Sequence, residues 1–109
     1  MARSDALHGS LPMLILKILA RRGAMHGYAI TTQIETFSSE VLRVEEGSLY
    51  PALHRLEESR LVKARWVVTT KNRRARVYEI TAAGRRHLEV EEKRWRRVTL
   101  AVGQLLQRI

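Results

Sequence analysis

Residues 46–60, EGSLYPALHRLEESR, decide the fold that we predict for this chain. Leu49, Leu53 and Leu56 recur at the spacing that places them on one stripe of a helix. The polar side chains that fall off this stripe are Ser48, Tyr50, His54, Arg55 and Glu57. The segment therefore predicts a helix over about residues 48–60, with a buried leucine face and an exposed polar face.

Two residues predict where this helix starts. Ser48 is suited to the N-cap, and Pro51 then stands at the third helical position, where its backbone has no intrahelical hydrogen bond to lose. The exposed first turn consequently carries Ser48, Tyr50 and Pro51, followed one turn later by His54 and Arg55. These groups can contact base edges and phosphates, although the polar face of any amphipathic helix offers a similar set.

The composition favours one small intracellular domain. The chain has 109 residues and no cysteine, so it can hold a single hydrophobic core but no disulfide or thiolate metal site. No apolar run approaches the ~20 residues that span a bilayer, and residues 1–10 lack the apolar centre of a signal peptide. We therefore expect a cytoplasmic protein with no membrane partner.

The net charge of +9 lies entirely in the second half of the chain. Residues 1–60 contain seven Lys/Arg and seven Asp/Glu, whereas residues 61–109 contain thirteen and four. A basic half beside a neutral half is typical of a protein that binds a polyanion, with nucleic acid as the first candidate and an anionic membrane surface as the second. A basic surface that serves only solubility has the same signature.

Two further helices are predicted before the quoted segment. The first follows Ser10, carries Pro12 in its first turn and ends at residues 21–23, RRG, because cations and glycine favour a helix C-terminus. Its apolar stripe consists of Leu11, Leu14, Ile15, Ile18 and Leu19. The second helix starts at residues 25–28, MHGY, and ends near residues 38–39. Its predicted buried stripe consists of Ile30, Ile34 and Phe37.

The N-terminus of the second helix is a candidate phosphate site. Backbone N–H groups there can receive a DNA phosphate, and His26 and the Tyr28 hydroxyl lie beside them. Burial of Tyr28 against the first helix is an equal alternative. Residues 40–46 form a short connection, in which brief strand pairing is expected. Three such helices fit a helix-turn-helix domain, and they also fit any small helical bundle.

A basic hairpin after the third helix discriminates between these folds. Residues 61–68 alternate with period two, and residues 76–81 place Tyr78 and Ile80 on one face. One face of the first strand carries Val62, Ala64, Trp66 and Val68, and the other carries Lys63, Arg65 and Val67. The connector, residues 69–75, contains an asparagine suited to a turn and three cations. Together with the first residue of the second strand, these cations are long enough to reach phosphates or a minor groove: Lys71, Arg73, Arg74 and Arg76. Residues 69–76 therefore fit the wing of a winged helix, with a solvated charged loop as the alternative.

The final predicted helix is capped by Thr81 and runs to about Arg108. Its apolar seam has the spacing of a coiled coil, with one polar break at Glu91. The candidate dimer-interface residues on this seam are Leu88, Trp95, Val98, Val102, Leu105 and Ile109. An apolar seam of this kind must be covered by another helix. That helix is either the same helix of a second copy or the first helix of the same chain, and each can cover different residues of the seam.

Taken together, the motifs resemble the PadR-type transcriptional regulators. The resemblance covers roughly residues 10–107 and is carried by HGYAI at 26–30, GSLYPALHRLE at 47–57, and RVYEIT at 76–81 followed by Gly84. It implies a winged helix-turn-helix repressor that dimerises through a C-terminal helix and binds an inverted-repeat operator in double-stranded DNA. It also implies that Ser48, Tyr50, Pro51 and His54 belong to the recognition helix, that residues 71–76 are the wing, and that residues 26–28 open a helix that supports docking on DNA.

Arg60 and Trp95 stand outside these shared motifs. Arg60 stands where the family usually has glycine, which leaves the end of the recognition helix open, since a left-handed C-cap suits arginine less well. In some relatives a small aromatic or hydrophobic effector releases the DNA. Trp95 is the candidate effector contact, with a core or interface tryptophan as the alternative.

The alternative class of function is an enzyme, and the sequence contains few features that would support catalysis. The histidines at 8, 26, 54 and 87 lack the spacing of metal ligands, and the chain has neither a cysteine nucleophile nor a glycine-rich phosphate loop. The acidic pairs at 45–46, 57–58 and 91–92 are adjacent residues that point in different directions on a helix, so we interpret them as solvated charges. No catalytic residue, metal or cofactor is predicted.

The sequence therefore predicts a mainly α protein with a β-hairpin wing. Residues 1–81 form a winged helix-turn-helix domain, and residues 82–109 form a C-terminal dimerisation helix. The predicted function is that of a sequence-specific DNA-binding transcriptional regulator. The alternative is a non-catalytic basic module that binds an acidic protein or a membrane surface.

Overall fold

The computed structural model describes the backbone of residues 2–109 and the side chains of residues 9–109. Met1 and the side chains of residues 2–8, including that of His8, lie outside the described residues. The elements in chain order are α1 (Ala2–Arg22), β1 (Met25–His26), α2 (Gly27–Phe37), α3 (Glu46–Glu58), β2 (Val62–Val68), β3 (Arg74–Ile80) and α4 (Ala82–Arg108). The predicted fold class is confirmed: three helices, a hairpin and a long final helix follow one another.

The sheet has one strand more than predicted. Its order is β1-β3-β2 with antiparallel neighbours, so β3 lies in the centre. Met25 pairs with Tyr78, and His26 pairs with Val77. The second helix, predicted to start within residues 25–28, begins at Gly27 with His26 as its N-cap, whereas β1, formed by Met25 and His26, was not predicted. A strand of two residues is too short to show alternation in the sequence.

The core lies where α1, α2 and α3 meet the sheet. The predicted leucine stripe of α3 is confirmed, since Leu49, Leu53 and Leu56 are all buried. The largest side chains that are fully buried are Leu11, Ile15, Leu16, Leu19, Ile30, Leu49, Leu53 and Val62. Burial of the leucine stripe turns the opposite, polar face of α3 outward.

Both proline-containing helices start earlier than predicted. α1 begins at Ala2 instead of after Ser10, and it continues through Pro12. α3 has Glu45 as its N-cap, and the Glu45 carbonyl accepts hydrogen bonds from the backbone N–H of Ser48 and of Leu49, both at 2.9 Å. Ser48 is therefore not the N-cap, and Pro51 lies in the second turn. Leu11 and Leu49, which lie just before the two prolines, are buried in the core, and this packing offsets the hydrogen bond that each proline removes.

The connection between α2 and α3 contains turns but no strand, so the expected strand pairing is wrong. Ser39 and Glu40 have φ values of 53° and 64°, which bend the chain out of an extended conformation. The Ser38 hydroxyl accepts a hydrogen bond from the Leu42 N–H at 3.0 Å and holds this bend. Phe37 was predicted to be buried but is 59% exposed, because it is the last residue of α2 and lies beyond the packed part of the helix.

Among the residues that the structure describes, the buried part of α4 lies in its first turns, at Gly84 and Leu88. Thr81 caps it as predicted, with its hydroxyl accepting from the Gly84 N–H at 3.0 Å. Leu88 is buried in the core, and Glu92 forms an ion pair of 3.0 Å with Lys17 of α1. From residue 93 to residue 109 every side chain is exposed. The division at residues 81 and 82 into two domains stays a prediction.

Within the described part of the chain, the length and hydropathy of the helices identify none that could cross a membrane.

Candidate nucleic-acid interface

The N-terminus of α2 presents two of the predicted contact residues. His26 is the N-cap, and its Nδ1 accepts a hydrogen bond from the Ala29 N–H at 3.3 Å. Tyr28 is 74% exposed, so the alternative that it is buried against the first helix is wrong. Its side chain is exposed beside the N-terminus of α2, as a phosphate contact requires.

Tyr50 connects α3 with this end of α2. A Cβ atom on Gly27 would lie 2.8 Å from the Tyr50 hydroxyl oxygen and 2.9 Å from the ring carbon Cε1. The absence of a side chain at Gly27 therefore creates the space in which the Tyr50 ring lies. This close approach explains why a glycine stands between His26 and Tyr28.

Two adjoining grooves bring most of the predicted residues together. The first is lined by His26, Gly27, Tyr28, Tyr50, Thr69, Ala75, Arg76 and Tyr78. The second is lined by Tyr50, Pro51, His54, Glu57, Arg76 and Tyr78. Because both share Tyr50, Arg76 and Tyr78, they form one surface between α2, α3 and the wing, which we call the α2–α3–wing groove.

Other predicted residues lie outside this groove. Ser48 is half-buried in the first turn of α3, and Arg55 is exposed on the same helix. Lys71 and Arg73 are exposed at the tip of the hairpin. The tip is closed by a 2.8 Å hydrogen bond from the Thr69 N–H to the Arg73 carbonyl. The predicted turn role of the asparagine is confirmed, since Asn72 adopts a left-handed φ of 57°.

The two arginines at the start of β3 differ in their surroundings. The guanidinium of Arg74 lies 4.7 Å from the ring centroid of Trp66, and that of Arg76 lies 5.5 Å from it. Arg76 also donates a hydrogen bond of 2.6 Å from Nη2 to the Glu57 carboxylate. Arg76, a predicted phosphate contact, is therefore already bound to a carboxylate. Arg74, the other predicted contact, is exposed and lies on the indole ring of Trp66.

Sequence reasoning missed Trp66 and Glu57. Trp66 lies on the same face of β2 as the buried Val62 but is 54% exposed, because the hairpin extends past the core and only its Val62 end is buried. Glu57 was interpreted as a solvated charge, which is wrong, as it is for Glu92 with its pairs to Lys17 and Arg96. Hairpin register could have placed Trp66 opposite Arg76, whereas the partner of Glu57 depends on how α3 lies over β3.

The phenol of Tyr78 forms the floor of the α2–α3–wing groove and is held neutral. Burial raises the pKa of Tyr78 above its usual range, the positive charge of Arg76 lowers that pKa in part, and Glu57 and Tyr50 raise it further. The groove therefore combines an uncharged phenol with the charged pair of Arg76 and Glu57.

The apolar seam of α4 is buried at its start and exposed along the rest of the helix. Leu88 packs within the chain, whereas the remaining predicted interface residues are exposed: Trp95, Val98, Val102, Leu105 and Ile109. Trp95 and Val98 line a groove that Gly9, Ser10 and Met13 of α1 border on the other side. Among the residues that the structure describes, no three His, Asp or Glu side chains lie close enough to hold a metal ion.

Comparison with known proteins shows the same fold in bacterial and archaeal regulators. A transcriptional regulator from Clostridium thermocellum has a TM-score of 0.83 and 27% identity, over 92% of this chain and 96% of that one. A PadR-like transcriptional regulator from Bacillus cereus has a TM-score of 0.79 and 29% identity, over 94% and 97%. The archaeal example is a regulator from Thermoplasma acidophilum, with a TM-score of 0.80 and 28% identity, over 94% and 96%.

The family model described as "Transcriptional regulator PadR-like family" matches residues 15–90, which include α2, α3, the wing and the first turns of α4. This span covers more than half of the chain. It also contains every element that forms the α2–α3–wing groove. The chain therefore belongs to the PadR-like family and is a transcriptional regulator with a winged helix-turn-helix fold.

Proposed function

We propose that this regulator represses transcription by binding, as a homodimer, to an inverted-repeat operator in double-stranded DNA. In this proposal α3 enters the major groove, and residues 69–76 of the wing contact phosphates or the adjacent minor groove. The observation that carries the proposal is the α2–α3–wing groove, where side chains from three elements open onto one exposed surface.

Within this surface the residues take different roles. Tyr50, Pro51 and His54 face outward from α3 and are assigned to base edges, with Ser48 and Arg55 beside them. The remaining contacts, which we assign to the DNA backbone, are His26, Tyr28, Lys71, Arg73 and Arg74. Removal of a backbone contact weakens binding to all sequences alike, whereas removal of a base contact lowers sequence preference.

The homodimer is inferred from the exposed part of α4. Its apolar seam is exposed from Trp95 onward, with only Trp95 and Val98 bordered by described residues of α1, and a second copy of the helix would bury it. We propose that Trp95 belongs to this interface instead of an effector site, because it continues the line of Val98 and Val102. We further propose that the protein is not an enzyme and that it acts in the cytoplasm, where it meets the DNA. A chain without cysteine is suited to that reducing compartment.

The test is selection of bound duplexes from a random pool, followed by salt titration of the enriched duplex and of a scrambled duplex. We expect an inverted repeat with half-sites about 10 base pairs or a multiple apart, since a symmetric dimer presents its helices at the pitch of DNA. The enriched duplex should keep its advantage when salt has weakened binding to both. Equal binding of both duplexes, of an acidic protein and of anionic vesicles would instead identify a general basic module.

A further inference from the structure

Glu57 and Arg76 join α3 to the wing. The Arg76 Nη2 atom lies 2.6 Å from the Glu57 Oε2 atom, and the two residues are 19 positions apart in the sequence. Both side chains are about one-third exposed. The Nε atom of Arg76 is buried without a hydrogen-bond partner among the described residues. The guanidinium is therefore held inward against α3 and does not extend freely toward solvent.

Trp66 carries this connection further along the hairpin. It pairs with Arg76 across the sheet, and the next pair on the same face joins Val68 to Arg74. Arg74 and Arg76 both lie within cation–π distance of the exposed Trp66 indole. A guanidinium held on an aromatic ring has lost part of its rotational freedom before any ligand arrives, which lowers the entropic cost of binding.

The charges of the two arginines are balanced differently. The carboxylate of Glu57 offsets the charge of Arg76 at contact distance, which reduces its attraction for a phosphate. Among the side chains that the structure describes, no carboxylate pairs with Arg74. Arg74 and Arg76, on the same face of the same strand, therefore differ in the uncompensated positive charge that is available to a DNA phosphate.

We propose that Glu57, Arg76 and Trp66 form a strut that sets the angle between α3 and the wing. Arg76 is a positioning residue in this arrangement, and Arg74, held on the Trp66 ring, is the wing residue that contacts phosphate. The inference rests on the proposed function and assigns roles within the same interface. The basic run of the wing suggests that Arg74 and Arg76 both contact DNA, whereas this inference assigns the contact to Arg74 alone.

The test uses the full-length protein, the duplex enriched by selection and a scrambled duplex of equal length. The measured quantities are the preference for the enriched duplex and the slope of log affinity against log salt concentration. Loss of one phosphate contact lowers that slope by about one. We expect Arg74→Gln to show this change with little loss of preference.

Variants of the strut should behave in the opposite way. Arg76→Gln should leave the slope unchanged and lower the preference about tenfold. Glu57→Gln should lower the preference similarly. It should also strengthen binding to scrambled DNA, because the Arg76 guanidinium loses its carboxylate partner. The charge-exchanged double variant, Glu57→Arg with Arg76→Glu, should recover most of the preference, which a general loss of stability would not do. Trp66→Leu should lower affinity for the enriched duplex at an unchanged slope.

The outcomes separate the strut from the function on which it rests. If the unmodified protein shows no preference for any duplex, the proposed function fails. If that preference exists, but Arg76→Gln lowers the slope by about one and the charge exchange rescues nothing, Arg76 is a phosphate contact and the strut is refuted. Thermal unfolding of each variant confirms that the compared proteins are folded.

Discussion

The ring of Tyr50 lies in the space left by the missing side chain of Gly27, with its hydroxyl oxygen 2.8 Å from the position of a Cβ atom there. This contact places a residue of α3 against the N-terminus of α2. The position of a predicted base-contacting side chain thus depends on a residue that carries no side chain.

Gly27→Ala should displace the Tyr50 ring and lower the preference for the selected operator about tenfold. The loss of stability should stay below about 1 kcal/mol, because the far end of an aromatic side chain can move aside. The control is a double-mutant cycle, in which Gly27→Ala has no further effect on preference in a Tyr50→Ala background. Equal effects of Gly27→Ala in both backgrounds would show that Tyr50 is not involved.

Gly84→Ala should destabilise the protein by about 2 kcal/mol or more. The added methyl group would overlap the Leu61 carbonyl oxygen, which belongs to the backbone and cannot turn away. Gly103→Ala, in the same helix but with open space around it, should instead stabilise by about 0.5–1 kcal/mol. Chemical denaturation compares the two variants, and a similar response of both would contradict this close approach.

Arg60→Gly should stabilise the protein by roughly 1 kcal/mol. Arg60 has a φ of 62° and follows the C-cap of α3, where its N–H donates to the Glu57 carbonyl and the Leu61 N–H donates to the Leu56 carbonyl. This is a Schellman motif, in which the left-handed residue is usually glycine. Gly23, at φ 90° after α1, gives the reverse test: Gly23→Ala should cost about 1 kcal/mol. A lower melting temperature for Arg60→Gly would argue against strain at this position.

Val98→Glu and Val102→Glu should each convert a dimer into monomers, because a carboxylate on the seam of α4 would be buried without a partner. Operator affinity should then fall at least about 100-fold, since one half-site supplies too few contacts. Val90→Glu is the matched control, as Val90 is exposed on α4 but off the seam. Analytical ultracentrifugation measures the oligomeric state, and a monomeric unmodified protein would refute the prediction.

The stability of the fold should fall at alkaline pH partly through Tyr78. Because burial raises the pKa of its phenol in the folded state, the unfolded chain releases the proton first as pH rises. The stabilising contribution is therefore complete below the usual tyrosine pKa of about 10 and is lost as pH rises through the higher folded value. Tyr78→Phe should flatten the decline of melting temperature in this range, whereas Tyr28→Phe, at an exposed position, should not. Equal curves for all three proteins would contradict it.

Local sequence signals predicted much of the architecture. The leucine stripe of α3, the cap at Thr81 and the turn at Asn72 each depend on residues within one or two turns of chain, so their patterns are legible without the fold. The starts of α1 and α3 were misplaced because a proline was taken as a boundary. Both helices continue through their prolines, with Leu11 and Leu49 buried in the core just before them.

The sequence by itself determined the family, the order of the helices and the wing, and the location of the excess positive charge, because spacing and composition encode these directly. Only the tertiary structure decided that Leu88 is buried while Trp95 is exposed, and that Arg76 faces Glu57 while Arg74 does not. The physical reason is that a partner distant in sequence is chosen by the way elements pack. Residues of the same type two positions apart can thereby acquire different neighbours, exposure and charge balance.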